Sequence, residues 1–284
     1  MIGEIKLMKT NTSPVALLGN TARWSAAVRA LESQHENPLF IDPWAADLAG
    51  PQGMHWVQQR SPDKVIAMVL RTRFYDDFLH KITRQEQIKQ VVLLAAGLDT
   101  RAFRLNWPEN TRFYELDQAT VLDHKEQVLS AAAVTPACHR SVIRVDLTTD
   151  WEKPLCATGY DTSLPSLWLL EGFLFYLPYP VIVQLLDQVT ALATSGSCLG
   201  FDIVNSLVLT SPWTKPWVDM QAEAGAPWLG TMDDPLSFLE ARGWVATLTQ
   251  PGAGDANYAR WDLPVYPPDM PNMPHHWLVT ARRS

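Results

Sequence analysis

Two residues in the first half of the chain have the type and spacing expected of a nucleotide site. Gly97 follows the apolar run 91–95, and Asp117 ends the next apolar run, 20 positions further on. A glycine after a buried strand lets a ligand approach the backbone closely, and an acid at the end of the second strand hydrogen-bonds ribose hydroxyls. The second and third glycines of a dinucleotide fingerprint are missing. Each residue also has a structural alternative. Gly97 could form a plain turn, and Asp117 could cap the next helix or lie at a solvated strand end.

Two more acids follow the next apolar runs. Asp146, with Leu147 behind it, suits an adenine ring, because the carboxylate can accept a hydrogen bond from the amino group while the leucine covers the ring. A turn aspartate is the alternative. Glu171 ends the run 167–170, at the edge where open α/β sheets bind ligands. A buried carboxylate there is costly unless a polar or cationic group meets it.

These residues require a sheet whose strands end at a common edge. Apolar, β-branched segments alternate with helical periodicity from about residue 89 to residue 199, which is typical of βαβ units on a parallel sheet. The pattern predicts helices at 118–132, 179–194 and 235–241, and strands at 90–95, 112–116, 141–145, 166–170, 198–204, 244–249 and 276–281. The predicted fold class is therefore α/β, with a mostly parallel seven-stranded sheet flanked by helices.

Segments outside this sheet predict a cap and a lid. Helix-like stretches at 14–31, 43–48 and 62–82 precede the first strand and have no strand partners in the pattern. Long irregular stretches, at 206–228 and 252–274, are typical of binding loops or lids. We therefore predict a single domain over residues 1–284, divided into a helical cap at 1–88, a ligand-binding core at 89–205, and a lid or acceptor region with the final strands at 206–284.

The composition excludes several classes of protein. Hydrophobic residues make up 47% of the 284 residues and charged residues 19%, which suits a globular chain with a sizeable core. The net charge is −7 and no run of Lys or Arg could follow a phosphate backbone, so we expect no nucleic-acid partner. No apolar run is long enough for a membrane span, and the start lacks a signal-peptide core. The three cysteines have no metal-binding spacing and suit a reducing compartment, so we expect a cytoplasmic protein without a metal site.

The motifs taken together resemble a known family. The chain carries, in order, TARWSAAVRALES, NPLFIDPWAADLAG, LRTRFYDDFL, AAGLDTRAFRL, YELDQATVL, VDLTTDW and LLEGFLFYLP. Over about residues 20–205 this series resembles the leucine carboxyl methyltransferase-like family of S-adenosylmethionine (SAM)-dependent methyltransferases. The tail, with APWLGTMDDPLSFLEARGW and MPHHWLVTARR, resembles bacterial members. The resemblance implies a Rossmann-like class I methyltransferase fold, SAM as the cofactor, and methyl transfer to an oxygen of a small molecule.

The resemblance also implies roles for individual residues. Gly97 would lie under the methionine part of SAM, and Asp117 would hold the ribose. Arg71 would pair with the SAM carboxylate through a bidentate fork, and Glu171 would lie near the amino group or the sulfonium. We therefore expect that Arg71→Ala and Asp117→Ala each abolish or greatly weaken SAM binding while leaving the fold intact.

Three further residues complete the implied cofactor site. Asp146 and Leu147 would hold the adenine. The eukaryotic enzymes that methylate a protein's C-terminal leucine use a lysine near the start of the match, and here that place falls on Ala22, beside Arg23. Arg23 is the substitute that the sequence offers. The absence of the lysine at this position argues against the C-terminal tail of a protein as the acceptor.

The kind of acceptor determines whether the reaction needs a base. Methyl transfer from a sulfonium is an in-line displacement, which positioning and the exclusion of water promote. A carboxylate is already a nucleophile, whereas a hydroxyl gains from a nearby base. Tyr176 is the candidate for the wall of the acceptor pocket. His275 and His276 are the candidate bases; the alternative is that one lies at a strand start and the other is exposed, without a role in the reaction. Four tryptophans are candidates for the same pocket: Trp213, Trp217, Trp228 and Trp261.

We expect the acceptor to be a carboxylate of a small or peptide-like metabolite. The first alternative is a phenol or enol hydroxyl of a natural product. An NAD(P)-dependent oxidoreductase would share the sheet, but the single-glycine turn and the Asp146–Leu147 pair argue against it. A non-catalytic binding module would lose the cofactor groups, but all four of them are present: Gly97, Asp117, Asp146 and Glu171. The sequence leaves the oligomeric state open.

Overall fold

A computed structural model of the chain describes residues 14–60 and 62–284. The first 13 residues of the predicted cap lie outside this part of the chain. Within it, one sheet has seven strands: β1 Gln90–Leu94, β2 Arg112–Asp117, β3 His139–Arg144, β4 Ser166–Leu170, β5 Cys198–Val204, β6 Trp244–Thr249 and β7 His276–Arg283. The seven predicted strands are confirmed, with small shifts at their ends.

The strand order identifies the edge at which a ligand would bind. The order is β3-β2-β1-β4-β5-β7-β6, and β7 runs antiparallel to both of its neighbours while the other pairs are parallel. The chain leaves β1 in one direction toward β2 and β3 and returns to the other side at β4. Ligands of open α/β sheets bind outside the carboxyl ends of the strands at such a reversal. The predicted fold class, including the helices on the sheet, is confirmed.

The central strands are buried along their whole length. Every residue of β1, β4 and β5 is buried, as expected of strands that helices cover on both faces. Their sequences are correspondingly apolar, apart from Gln90 and Ser166 at the strand starts and one charged residue inside β5. Asp202 of β5 is fully buried, so this carboxylate needs partners within the protein.

The helices between the strands match the prediction in part. They are α4 Arg101–Arg104, α5 Ala119–Ala131, α6 Glu152–Ala157, α7 Tyr179–Leu192 and α9 Pro235–Glu240. The predicted helices α5, α7 and α9 are confirmed. The sequence did not predict α4 and α6, because helices of one or two turns are too short to show a 3.6-residue period. Helix α9 is equally short, but Asp234 followed by Pro235 marks its start.

Three helices precede the sheet: α1 Pro14–Ser33, α2 Ala45–Gln58 and α3 Pro62–Gln85. Helices α1 and α2 pack on each other, and α3 packs on strands β4 and β5. The helix predicted to end at residue 48 continues to Gln58 past a kink at Gly50, which has φ +60°. Trp24 of α1 stacks on Trp56 of α2, with ring centroids 4.7 Å apart. In the described part of the chain, no helix is long and apolar enough to span a bilayer.

The lid consists of two segments from the last third of the chain. The first contains α8, Lys215–Glu223, which the sequence did not predict. The proline near its start is tolerated, because the N–H group that proline lacks would have no partner in the first helical turn. The second is the irregular stretch between β6 and β7. Both segments contribute side chains to the cavity described next.

Candidate active site

A cavity of about 540 Å³ opens at the carboxyl ends of the central strands. This volume is typical of small-molecule sites. The cap, the sheet and the lid all contribute to its walls. The predicted site residues that line it are Arg71, Gly97, Asp117, Glu171, Tyr176 and His276. The other predicted residues, Arg23, Asp146, Leu147 and His275, are not among its lining residues.

The turn after β1 brings the backbone to the cavity wall. Ala95 and Gly97 both have left-handed backbone angles, with φ 55° and 52°. For alanine this conformation costs about 1 kcal/mol, so the surrounding structure must hold it. The Gly97 N–H donates a hydrogen bond to Asp117 Oδ2 over 2.6 Å. The turn therefore ties the end of β1 to the end of β2.

Asp117 is half-buried at the cavity and keeps hydrogen-bonding capacity. It accepts bonds from the backbone N–H groups of Gly97 and Gln118, both over 2.6 Å. Burial raises the pKa of Asp117, and these two hydrogen bonds oppose the rise. A carboxylate can accept about four hydrogen bonds. Asp117 is thus equipped to accept further bonds from ligand hydroxyls in the cavity.

Glu171 has the cationic partners that its burial requires. Arg71 Nε donates to Glu171 Oε1 over 3.0 Å, and Arg101 Nη2 lies 2.7 Å from Oε2. The Thr72 hydroxyl donates to the same Oε1 over 3.2 Å. Arg101 was not predicted from the sequence, although it lies in the AAGLDTRAFRL motif directly after the β1 turn.

Asp202 is the second residue of the site that was not predicted from the sequence. Its Oδ2 accepts hydrogen bonds from Arg71 Nη1 over 2.9 Å and from His276 Nε2 over 3.0 Å, and its Oδ1 accepts one from the Gly172 N–H over 2.5 Å. Burial would raise the pKa of Asp202, but the Arg71 charge and the His276 hydrogen bond outweigh it and lower the pKa to about 2. A single acid within the apolar run of β5 was the available signal.

Arg71 is therefore held between two carboxylates before any ligand binds. Although burial opposes it, the charges of Asp202 and Glu171 raise the pKa of Arg71 above its usual value. Its Nη2 makes no hydrogen bond within the described residues and stays available to an anionic ligand. The backbone of Gly172, with φ +68°, lies close against this guanidinium, since a Cβ added there would lie 2.9 Å from Nη2. Arg71→Ala would remove an ion-pair partner from the buried Asp202 and the half-buried Glu171, so we expect this variant to lose stability as well as SAM binding.

Arg23 and His275 point to other parts of the molecule. Arg23 Nη1 lies 3.4 Å from the Ala49 carbonyl oxygen, close to the kink of α2. The His275 ring stacks on Trp277 at 4.5 Å, and its Nδ1 lies 2.7 Å from Gln250 Oε1. Desolvation lowers the pKa of His275. These contacts favour structural roles, and the roles predicted for both residues stay predictions.

Asp146 and Leu147 also make local contacts. Asp146 Oδ1 accepts hydrogen bonds from the N–H and the hydroxyl of Thr148, over 2.9 and 2.7 Å. This is a turn of the Asx type, which was the alternative reading of the residue. Leu147 is buried within the main apolar core. Their predicted adenine contacts stay predictions.

Tyr176 and His276 both lie on the cavity wall. Burial raises the pKa of Tyr176 to about 12, so the phenol keeps its proton at neutral pH. Asp202 is ionised, and the hydrogen bond between it and His276 Nε2 therefore places a proton on that nitrogen. His276 Nδ1 makes no hydrogen bond within the described residues. When the ring is neutral, Nδ1 is the unprotonated nitrogen.

Aromatic side chains surround the part of the cavity beneath the lid. The four tryptophans proposed for the pocket, Trp213, Trp217, Trp228 and Trp261, all line it. Trp217 meets Trp56 edge-on, with ring centroids 6.4 Å apart, and Trp228 packs on Phe175 at 4.4 Å. The cavity thus has a charged half beside the sheet and an aromatic half beneath the lid.

Comparison with known proteins identifies the family. The family model described as leucine carboxyl methyltransferase matches residues 22–190, more than half of the chain. The chain belongs to the leucine carboxyl methyltransferase family. The region matched to this family includes Arg71, Gly97, Asp117 and Glu171. The lid lies entirely beyond it, so the family match bears on the charged half more than on the aromatic half.

Curated relatives extend the similarity along the chain. A protein of Streptomyces avermitilis is 37% identical over 237 residues, covering 80% of this chain and 82% of its own length. One from Mycolicibacterium gilvum is 38% identical over 253 residues, covering 81% and 84%. Both are provisionally named S-adenosyl-L-methionine-dependent methyltransferases.

Solved structures support the fold. A protein of Thermobifida fusca, provisionally titled a methyltransferase, superposes with a TM-score of 0.59 at 19% identity, covering 92% of this chain and 94% of that one. A DUF574 family protein from Streptomyces avermitilis superposes with a TM-score of 0.58 at 15% identity, covering 92% and 97%. At these identities the likeness concerns the fold alone.

Proposed function

We propose that the protein transfers the methyl group of SAM to a carboxylate oxygen of a small or peptide-like metabolite. The observation that carries the proposal is the single cavity with two unlike halves, one charged and one aromatic. Family membership and the names of the relatives support SAM as the methyl donor and leave the oxidoreductase alternative without support. The matched family acts on a carboxyl group by its name, which favours a carboxylate acceptor.

The charged half fits the polar groups of SAM. Arg71 Nη2 would hold the carboxylate of the methionine part, and Glu171 would attract the ammonium or sulfonium. Asp117 would accept the ribose hydroxyls, and the left-handed turn at Gly97 lets the ligand lie against the backbone. When bound, SAM supplies a methyl group on a sulfonium, which passes to the acceptor oxygen as the carbon–sulfur bond breaks.

The protein's own part in this reaction is positioning and the exclusion of water. Holding donor and acceptor in line removes much of the entropic barrier of a bimolecular reaction. The lid tryptophans would displace water from around the acceptor. A carboxylate needs no base, and Tyr176, protonated at neutral pH, would donate a hydrogen bond to it instead of removing a proton.

Methylation of a hydroxyl is the second candidate, and one observation favours it. His276 lines the cavity and is held by Asp202 through Nε2, which leaves Nδ1 to accept a proton. A phenol or enol near Nδ1 would become a better nucleophile as its proton moves to the ring. Positioned bases of this kind contribute about 10² to 10⁴ in rate.

The chemistry of the product separates the two candidates. The purified protein would be incubated with SAM labelled in its methyl group and a panel of small carboxylic acids and phenols. Mild alkali releases labelled methanol from a methyl ester but not from a methyl ether. We expect alkali-labile label on acids, and Asp117→Ala as the control should reduce it. Alkali-stable label found only on phenols would contradict carboxylate methylation.

We also propose that the protein acts in the cytoplasm. Cys138, Cys156 and Cys198 are all free thiols in the structure. Unpaired cysteines are usual in reducing compartments. Fractionation of cells that express the tagged full-length chain tests this location, and recovery outside the cytoplasm would contradict it.

A further inference from the structure

Gln221 of the lid has an unmet hydrogen-bonding group at the cavity. The residue is 3% exposed and lines the cavity from α8. Its side-chain Oε1 is buried and has no hydrogen-bond partner within the described residues. Buried polar groups in native proteins nearly always have partners, and an unpaired one costs free energy. A ligand in the cavity is therefore a reasonable partner for this amide.

Gln250 provides an internal comparison. It is the other buried glutamine that lines the cavity. Its amide nitrogen donates to the Tyr266 carbonyl oxygen over 2.9 Å, and its Oε1 lies 2.7 Å from His275 Nδ1. Both polar atoms of Gln250 are thus satisfied by the protein, so burial of a glutamine in this region does not by itself leave an amide unpaired.

Aromatic walls on two sides restrict the shape of the ligand beside Gln221. Trp217 lies one turn before Gln221 on α8, and its ring meets Trp56 of the cap. On the sheet side, Trp228 packs on Phe175, which packs on Tyr176 with centroids 4.8 Å apart. Aromatic faces and edges favour a flat aromatic ring over a saturated one of equal area.

We infer that the acceptor is a planar aromatic acid that carries a hydroxyl group, and that Gln221 determines this specificity. The inference rests on the proposed function and specifies its substrate class. The carboxylate would face the charged half of the cavity, the ring would lie between the aromatic walls, and the hydroxyl would pair with the Gln221 amide. A hydroxyl can both donate and accept, so it satisfies the amide in either orientation.

The test compares three acids of similar size on the protein saturated with S-adenosylhomocysteine (SAH). The probes are 6-hydroxy-2-naphthoic acid, 2-naphthoic acid and decalin-2-carboxylic acid, each titrated by calorimetry. We expect the hydroxylated naphthoate to bind about tenfold more tightly than the plain one, since it satisfies the buried amide. We expect the plain naphthoate to bind several-fold more tightly than the saturated acid.

Two substitutions test the role of the amide. Gln221→Leu and Gln221→Met, both close to glutamine in size, should erase the preference for the hydroxyl and keep the preference for the aromatic ring. Bound SAH reports that each variant is folded. The matched control is Gln184→Leu, an exposed glutamine on α7, which should change neither preference. A hydroxyl preference that survives in both Gln221 variants would overturn the inference.

The outcomes also distinguish this inference from the proposed function. Equal binding of all three acids, or binding of none, would overturn the inference. Mass spectrometry after incubation with SAM then tests the reaction itself. If the acids bind in the expected order but only the ether forms, carboxylate methylation fails and the inferred ligand class stands. If the saturated acid is esterified as well as the hydroxynaphthoate, the inferred class fails and carboxylate methylation stands.

Discussion

Asp202→Asn should destabilise the protein, because Asp202 joins three parts of the site. It is fully buried and receives hydrogen bonds from Arg71, His276 and the Gly172 N–H. Asparagine keeps the shape and can still accept the bond from Gly172. It removes the charge that balances Arg71, which then has Glu171 as its remaining carboxylate partner.

The size of the effect follows from the pKa of Asp202. Its value of about 2 lies below the ordinary 3.8, and each unit corresponds to about 1.4 kcal/mol, so the charged state contributes roughly 2.5 kcal/mol to folding. Removing one partner of a buried ion pair typically costs about 3 to 5 kcal/mol. We therefore expect the free energy of unfolding of Asp202→Asn to fall by about 3 kcal/mol at pH 7.

The sign of the pH dependence gives a second check. The pKa of Asp202 is depressed in the folded state, so its stabilisation is fully present above the unfolded pKa, near 4, and is lost as the pH falls toward 2. The difference between wild type and variant should be larger at pH 7 than at pH 3.

Urea unfolding at both pH values measures the difference. Asp123→Asn, which removes an exposed partner of Arg144, is the matched control and should cost less than about 1 kcal/mol. A loss below about 0.5 kcal/mol for Asp202→Asn at pH 7 would refute the reasoning, since it would match an ordinary surface substitution. A difference that does not shrink in acid would refute it too.

Three further substitutions test the site. Asp117→Ala should weaken SAH binding by about 10- to 100-fold in calorimetry, because hydrogen bonds to a charged group contribute about 1.5 to 3 kcal/mol; unchanged affinity would remove Asp117 from the site. Tyr176→Phe should change kcat by less than about tenfold, because a phenol with a pKa of about 12 is not the base at neutral pH; a hundredfold loss would show that the hydroxyl takes part in the reaction. His276→Gln should likewise leave kcat for a carboxylate acceptor within about tenfold, whereas a loss of about 10² to 10⁴ would identify the base that a hydroxyl acceptor needs.

The fold could be predicted because its pattern is local. Each buried strand is a short apolar run followed by a turn residue, and the long helices α5 and α7 show their period in the sequence. The cap and lid were predicted as irregular or helix-like regions. Helix α8 was missed because it is short and lies in a stretch, 206–228, that is rich in Pro, Trp and Thr. The packing of Trp217 and Gln221 at the cavity is a tertiary effect.

The site could be predicted only where one strand end determines it. Gly97 and Asp117 follow from spacing along adjacent parallel strands, and Gly97 does bond to Asp117. Asp202 could not be found in this way, because its partners Arg71 and His276 come from α3 and β7, far away in the sequence. Asp146 is the opposite case. The sequence located the strand end correctly, but the carboxylate accepts a local hydrogen bond from the Thr148 N–H.

Calorimetric titration of the purified protein with SAH, alongside a matched titration with NAD, tests the central claim most directly. The cavity with Gly97, Asp117, Arg71 and Glu171 on its wall predicts saturable binding of SAH and none of NAD. No heat with SAH from protein that is folded by circular dichroism would contradict the proposal that this cavity binds SAM.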